Sequence, residues 1–267
     1  MTSAPTPASA VGSASVRVLG QVAGPHRSAS VLHAGPHAVY LDVEGTCTCL
    51  LSAQATQVPF GIRTTLEVLP EVAPGDLASV EHGTVTVPGL NVLVAGIVDT
   101  TVPVLDPSAA ARWSGPLRVL ADASTRRVRD LLPADALEAL RQADPGAVPA
   151  LLGLGPGLTP LGDDVLGAWL ATALATRHPG LDVVRRAVAL SAGERTTTVS
   201  ATLLACAARG EVVPEHRDLL VGLGADDRTA VEVALDALVS VGDTSGAGAL
   251  LGTVLALESL PAGGTTP

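Results

Sequence analysis

The sequence predicts an α+β protein: an antiparallel β-rich domain, barrel- or sandwich-like, packed on an all-helical domain. Three observations carry this. Up to about residue 105, short β-branched runs alternate with Gly and Pro, the spacing of an all-β unit. Beyond it, the apolar residues recur with helical periodicity. Aromatics are nearly absent, with one Phe, one Tyr and two Trp, so the core must be built from Leu, Val and Ala, which suits close helix packing.

Residues 1–14 read as a disordered tail, being mainly Ala, Ser, Pro and Thr without a signal-peptide pattern. The β-rich domain spans 15–105, with strands expected at Ser15–Val22, Ala29–His33, Ala38–Val43, Cys47–Leu51, Thr84–Val87 and Asn91–Val98. Pro59-Phe60-Gly61-Ile62 reads as a turn. The helical domain spans 106–260. Helices are expected at Leu117–Leu132, Ala134–Ala143, Gly162–Thr176, Leu181–Ala192, Thr197–Arg209, Glu215–Gly222, Asp226–Val239 and Ser245–Leu257, with Pro133 as an N1 residue or break. Residues 261–267 read as a second tail.

Charge narrows the function. The formal net charge is −10, which argues against a nucleic-acid or anionic-membrane binder. The longest apolar stretch, Val165–Ala175, is too short to cross a bilayer. All 16 basic residues are Arg. Schiff-base chemistry and a P-loop lysine are thereby excluded, and an anionic substrate must be held by Arg, backbone amides, a helix N-terminus or a metal. Cys47, Cys49 and Cys206 make an odd count without metal-site spacing; the first two read as buried structural thiols on one strand face. A cytoplasmic location is the expectation. His178 and His216 read as surface loop residues, and His33 and His37 bracket a Gly-Pro turn without metal-site geometry.

Three turns can carry chemistry. The first is Gly153-Leu154-Gly155-Pro156-Gly157-Leu158-Thr159-Pro160-Leu161-Gly162-Asp163-Asp164. Its Gly and Pro density forbids regular structure and leads into an apolar helix. The amides of Gly157, Leu158 and Thr159 can form an anion-binding nest backed by the helix dipole. Asp163 and Asp164 would repel a bound anion unless a cation such as Mg²⁺ lies between them or they accept from an amide-bearing substrate. Adjacent helix positions point about 100° apart, so one Asp can face the site while the other caps the helix. Both equally suit a helix N-terminus. The second turn, Glu194-Arg195-Thr196-Thr197-Thr198-Val199-Ser200, is a capping cluster or, through Arg195, a carboxylate or phosphate clamp. The third, Val241-Gly242-Asp243-Thr244-Ser245-Gly246-Ala247-Gly248, is a helix start that can also present amides and Ser245 to a ligand.

In this order the three turns resemble the AllH-like family associated with oxamate carbamoyltransferase, over about Leu151 to Leu257. The resemblance implies a subunit acting in purine (allantoin) catabolism, in a complex that transfers a carbamoyl group between oxalurate and phosphate, yielding oxamate and carbamoyl phosphate. It implies a small anionic substrate and partner subunits, one of them an FdrA-like protein related to acyl-CoA synthetases. Carried over by position, Asp163, Asp164 and Arg195 would be catalytic. Gly155, Gly157, Leu158, Thr159, Gly162, Thr197, Ser200, Ser245 and Gly246 would bind substrate. Mg²⁺ on Asp163 and Asp164 is the one cofactor to consider. The family's third motif usually carries His where this sequence has Asp243, so no histidine acid/base is implied there. The alternatives are a Mg²⁺-dependent phosphate- or nucleotide-binding enzyme and a non-catalytic assembly subunit.

Overall fold

Eight strands close into a barrel between Ala8 and Ile97 in the computed structural model, which describes residues 7–260. In chain order they are β1 (Ala8–Ala14), helix α1 (Val16–Val22), β2 (Arg27–Ala34), β3 (Ala38–Val43), β4 (Thr46–Leu51), β5 (Gly61–Thr64), β6 (Leu77–Glu81), β7 (Thr84–Val87) and β8 (Leu90–Ile97). Around the barrel the order is β1-β5-β4-β3-β2-β6-β7-β8. The pairing is antiparallel except at β1–β8 and β4–β5, which are parallel. Two-residue turns set the β3–β4 and β6–β7 registers. Glu44-Gly45 and His82-Gly83 all have positive φ, the backbone twist that suits a tight hairpin. Alternate residues of β3, namely Val39, Leu41 and Val43, are buried, and Cys47 and Cys49 on β4 are buried free thiols.

Three expectations are corrected here. Ala8–Ala14 is strand β1, not tail, because its backbone pairs on both sides, with β5 and with β8; ladder bonds make up for weak strand propensity. Ser15–Val22 is a helix with its N-cap rather than a strand. The Ser15 hydroxyl accepts from the Val18 N–H and donates to the Pro59 carbonyl at 3.0 Å, and capping overrides the β-branched residues of this segment. The expected turn at Pro59–Ile62 ends one residue after Pro59, since Gly61 and Ile62 already pair in β5. The remaining expected tail residues, 1–6 and 261–267, lie outside the described residues.

The second unit begins at Thr100, somewhat before the expected boundary. Its helices are α2 (Pro107–Arg112), α3 (Ser114–Arg129), α4 (Ala134–Arg141), α5 (Val148–Leu151), α6 (Leu161–Ala175), α7 (Leu181–Arg195), α8 (Thr198–Ala207), α9 (Pro214–Ala225), α10 (Arg228–Val239) and α11 (Ser245–Glu258). Helix α2 was not foreseen, although Asp106 caps it and Pro107 occupies its first turn, both helix-start signals. No described helix is long and apolar enough to cross a membrane.

Helices α6 and α11 form the centre of this unit. Both are apolar nearly all round and buried on most faces, as an interior helix must be. They approach closely because α11 presents glycines to α6. A Cβ at Gly248 would lie 2.8 Å from Leu161 Cδ1 and 3.2 Å from Asp164 Cβ, and one at Gly252 would collide with the Val165 carbonyl oxygen. The two histidines expected at the surface are buried here, at 5% exposure for His178 and 2% for His216. His178 Nδ1 accepts from the Gly180 N–H, and its Nε2 lies 2.9 Å from the Ser259 carbonyl. His216 Nε2 lies 2.9 Å from the Thr253 hydroxyl, which itself bonds the Ala249 carbonyl. A satisfied polar ring can be buried at low cost.

Two outcomes follow from this packing. Gly252→Ala forces α11 away from α6 and should destabilise the helical unit by roughly 1–3 kcal/mol, read as a lower urea midpoint at unchanged slope. Burial pushes His216 down to about 4 from an unfolded value near 6.5. The folded state then binds fewer protons than the unfolded one, so this contribution is complete above about pH 6.5 and is lost as pH falls toward 4. Urea titrations at pH 7 and pH 4 should differ by on the order of 3 kcal/mol, and His216→Gln should remove much of that difference.

Candidate functional site

The first turn, from Gly153 to Pro160, links α5 to α6 and is held open by glycine. Gly153, Gly155 and Gly157 have φ of +77°, +122° and +91°, values that side chains disfavour. Gly153 is doubly constrained, because a Cβ there would collide with the Arg195 carbonyl oxygen. The turn is exposed from Gly155 to Leu158. Among the described residues, the peptide N–H groups of Gly155, Gly157, Leu158 and Thr159 donate to no protein acceptor. Just beyond them α6 begins, with its N-terminal positive dipole end.

The three turns meet. Thr159 Oγ1 lies 3.2 Å from Ser245 Oγ at the start of α11. Thr197 Oγ1 donates to the Leu158 carbonyl at 2.5 Å while accepting from the Ser200 N–H at 3.0 Å as N-cap of α8. Beneath them sits Asp163, buried at 2% exposure. Its Oδ1 accepts from the Gly153 N–H at 2.7 Å; its Oδ2 accepts from the Ser200 hydroxyl at 2.7 Å and from the Thr196 hydroxyl. One carboxylate thus ties the first turn and α6 to the second turn and α8.

The two aspartates of the pair differ in kind. Asp163 has donors on both oxygens. Asp164 Oδ2 is buried without a hydrogen-bond partner. Burial raises the Asp164 carboxyl to about 7; the Ser245 hydroxyl, donating toward it, opposes the rise, and the neighbouring Asp163 charge adds to it. This residue is held near its proton-exchange point at neutral pH.

The expected site residues therefore separate into two groups. Gly155, Gly157, Leu158 and Thr159 offer unpaired amides, and the Thr159 and Ser245 hydroxyls are linked. The others build the platform. The Gly162 N–H bonds the Leu154 carbonyl and the Gly246 N–H bonds the Val241 carbonyl. A Cβ at Gly162 would collide with the Leu151 carbonyl, and one at Gly246 with the Leu238 carbonyl. The Ser200 and Thr197 hydroxyls are spent on Asp163 and Leu158. Arg195 is exposed, and one guanidinium nitrogen donates to the Pro149 carbonyl at 2.8 Å. Asp163 already has donors on both oxygens, and no three His, Cys, Asp or Glu side chains gather to hold a metal among the described residues. Sequence reasoning passed over Thr196 as a donor to Asp163 and Gly248 as the point where α11 reaches Asp164. The hydroxyl cluster at 196–200 was the available signal for the first.

Removing the clamp tests its structural weight. Asp163→Ala leaves three donors without an acceptor in a buried setting and should cost on the order of 3 kcal/mol of helical-unit stability, measured by urea denaturation.

Comparison with known proteins gives one finding. The family model described as oxamate carbamoyltransferase subunit AllH matches residues 151–257, a span that contains all three turns and supports an AllH-like family assignment. No curated protein and no solved structure matches the chain.

Proposed function

With the AllH-like assignment of residues 151–257 as premise, we propose that this chain is a subunit of an oxamate carbamoyltransferase-type complex and that its three joined turns bind the reacting groups. The observation that carries this reading is the meeting of Thr159, Thr197 and Ser245 around a run of exposed, unpaired peptide N–H groups.

Each part has a task in carbamoyl transfer between oxalurate and phosphate. The free amides of Gly155, Gly157, Leu158 and Thr159 and the N-terminus of α6 receive the phosphate, a means open to a chain without Lys. The same donors stabilise the oxyanion that develops on the carbamoyl carbonyl. The Arg195 fork, with only one nitrogen on Pro149, clamps the carboxylate of the oxamate moiety. Direct transfer between two bound substrates gains from their mutual orientation and needs no covalent nucleophile. Asp163 acts by holding the platform, and the reaction is placed in purine (allantoin) breakdown. An FdrA-like subunit related to acyl-CoA synthetases is the partner proposed to complete the complex.

The test is phosphate-dependent release of oxamate and carbamoyl phosphate from oxalurate by the chain assembled with its partner subunits. Arg195→Ala should raise KM for oxalurate about 10- to 100-fold, the worth of a charged hydrogen-bonded clamp. A wild-type complex that forms no carbamoyl phosphate, or an Arg195→Ala complex with unaltered KM, rejects the assignment of the site. Turnover by the isolated chain would separate a catalytic subunit from one serving assembly.

A further inference from the structure

Helices α9 and α10 form a hairpin with an open groove of about 520 Å³ along its exposed side. One stripe of each helix lines it. On α9 the stripe includes Asp218, Val221 and Ala225; on α10 it includes Ala230, Val233 and Ala237. Steps of three and four residues keep each stripe on one helix face. Gly222 at the base lets the helices come close, because a Cβ there would lie 3.1 Å from the Val231 backbone nitrogen.

Two features of the groove call for a partner. The first is apolar shape. The alanines leave room for larger side chains, and Val221 and Val233 stand 41% and 66% exposed. An apolar strip in a concave, polar-rimmed surface is what a helix docks into. The second is charge of one sign. Glu215, Asp218 and Asp227 line the groove, and among the described residues no basic side chain does. Asp218 is well exposed and meets Arg217 only at 3.5 Å, a pair of little worth in water. Asp227 spends one oxygen on the Ala230 N–H as N-cap of α10. Glu215 Oε2 is buried without a hydrogen-bond partner, which costs free energy until a donor reaches it.

We propose that the groove between α9 and α10 receives an amphipathic helix of a partner subunit, its large apolar side chains on Val221 and Val233 and its Arg or Lys side chains on Glu215, Asp218 and Asp227. This inference rests on the subunit reading above. Helix α9 has 12 residues, and at about 1.5 Å per residue it offers roughly 18 Å, or three turns, to lie along. Anchors spaced by three and four residues fit the alanine-lined floor. Carboxylates wait at both ends. Glu215 and Asp218 belong to the first turns of α9, and Asp227 follows its last residue and opens α10. Docking gives the Glu215 oxygen its donor. A second copy of this chain is a poorer occupant. The net charge is −10, and an isologous pair would set the acidic rim against itself.

The experiment assembles the full chain with its partner subunits and follows association by sedimentation velocity and binding kinetics. The double variant Val221→Glu/Val233→Glu should raise the Kd of assembly about tenfold or more. Asp218→Arg should slow association about tenfold, and raising salt from about 50 to about 500 mM should slow the wild type in the same way, because complementary charge acts on the on-rate. All three side chains are exposed, so the urea midpoints should match the wild type; that measurement separates lost docking from lost folding. A benzophenone photocrosslinker at position 233 should label a partner segment with apolar residues at helical spacing and Arg or Lys beside them. Assembly unchanged in the double variant, or a labelled segment that is acidic, overturns the groove and leaves the subunit reading intact. A dimer of the chain alone that the double variant dissociates makes a second copy the occupant and also overturns the proposal. A wild-type chain that assembles with no partner subunit overturns the subunit reading itself, and the groove's occupant falls with it.

Discussion

The carboxylate of Asp163 accepts from the backbone of Gly153 and from the hydroxyls of Thr196 and Ser200, and the candidate site depends on this junction. Those donors come from segments separated by more than thirty residues. A buried carboxylate without partners would be costly, and one with several donors is stable and directional. The requirement to satisfy it fixes where α8 starts relative to α6, and so fixes Thr197 against the Leu158 carbonyl. Glycine at 153 is part of the same constraint, since only a residue without Cβ admits the Arg195 backbone at that distance.

The second constraint is the contact between α6 and α11. Glycines 248 and 252 let the two backbones approach, which sets Gly248 against Asp164 and carries Ser245 onto Thr159. The same approach removes water from Asp164 and raises its affinity for a proton. Packing and proton chemistry are thus two results of one choice of small residues. An acidic pair that looks uniform in sequence is divided by it into a positioning residue with filled oxygens and a residue with an oxygen left over.

The barrel shows the limits of local pattern. Runs such as Ala38–Val43 declare themselves by alternation, and the structure pairs them as strand β3. Strand β1, with the sequence Ala-Ser-Ala-Val-Gly-Ser-Ala, has no such signal. It exists because β5 and β8 flank it and complete its ladder. Histidines 178 and 216 mislead for a related reason. A lone polar residue near a helix start resembles a surface residue until the carbonyls and hydroxyls of a distant helix, here Ser259 and Thr253 on or just after α11, are brought to it.

By itself the sequence determined the two-part α+β organisation, most helix positions, the dependence on Arg and amides for anion binding, and the three turns as the segments to watch. Each of these rests on periodicity, composition or short-range turn chemistry, all of which act within a few residues. Only the tertiary structure decided which of the glycines lend amides and which merely allow close approach, that Arg195 leans on the Pro149 carbonyl, and which aspartate keeps a spare oxygen. Those outcomes depend on hydrogen bonds and burial contributed by residues distant along the chain, and partners of that kind are set only when the helices pack.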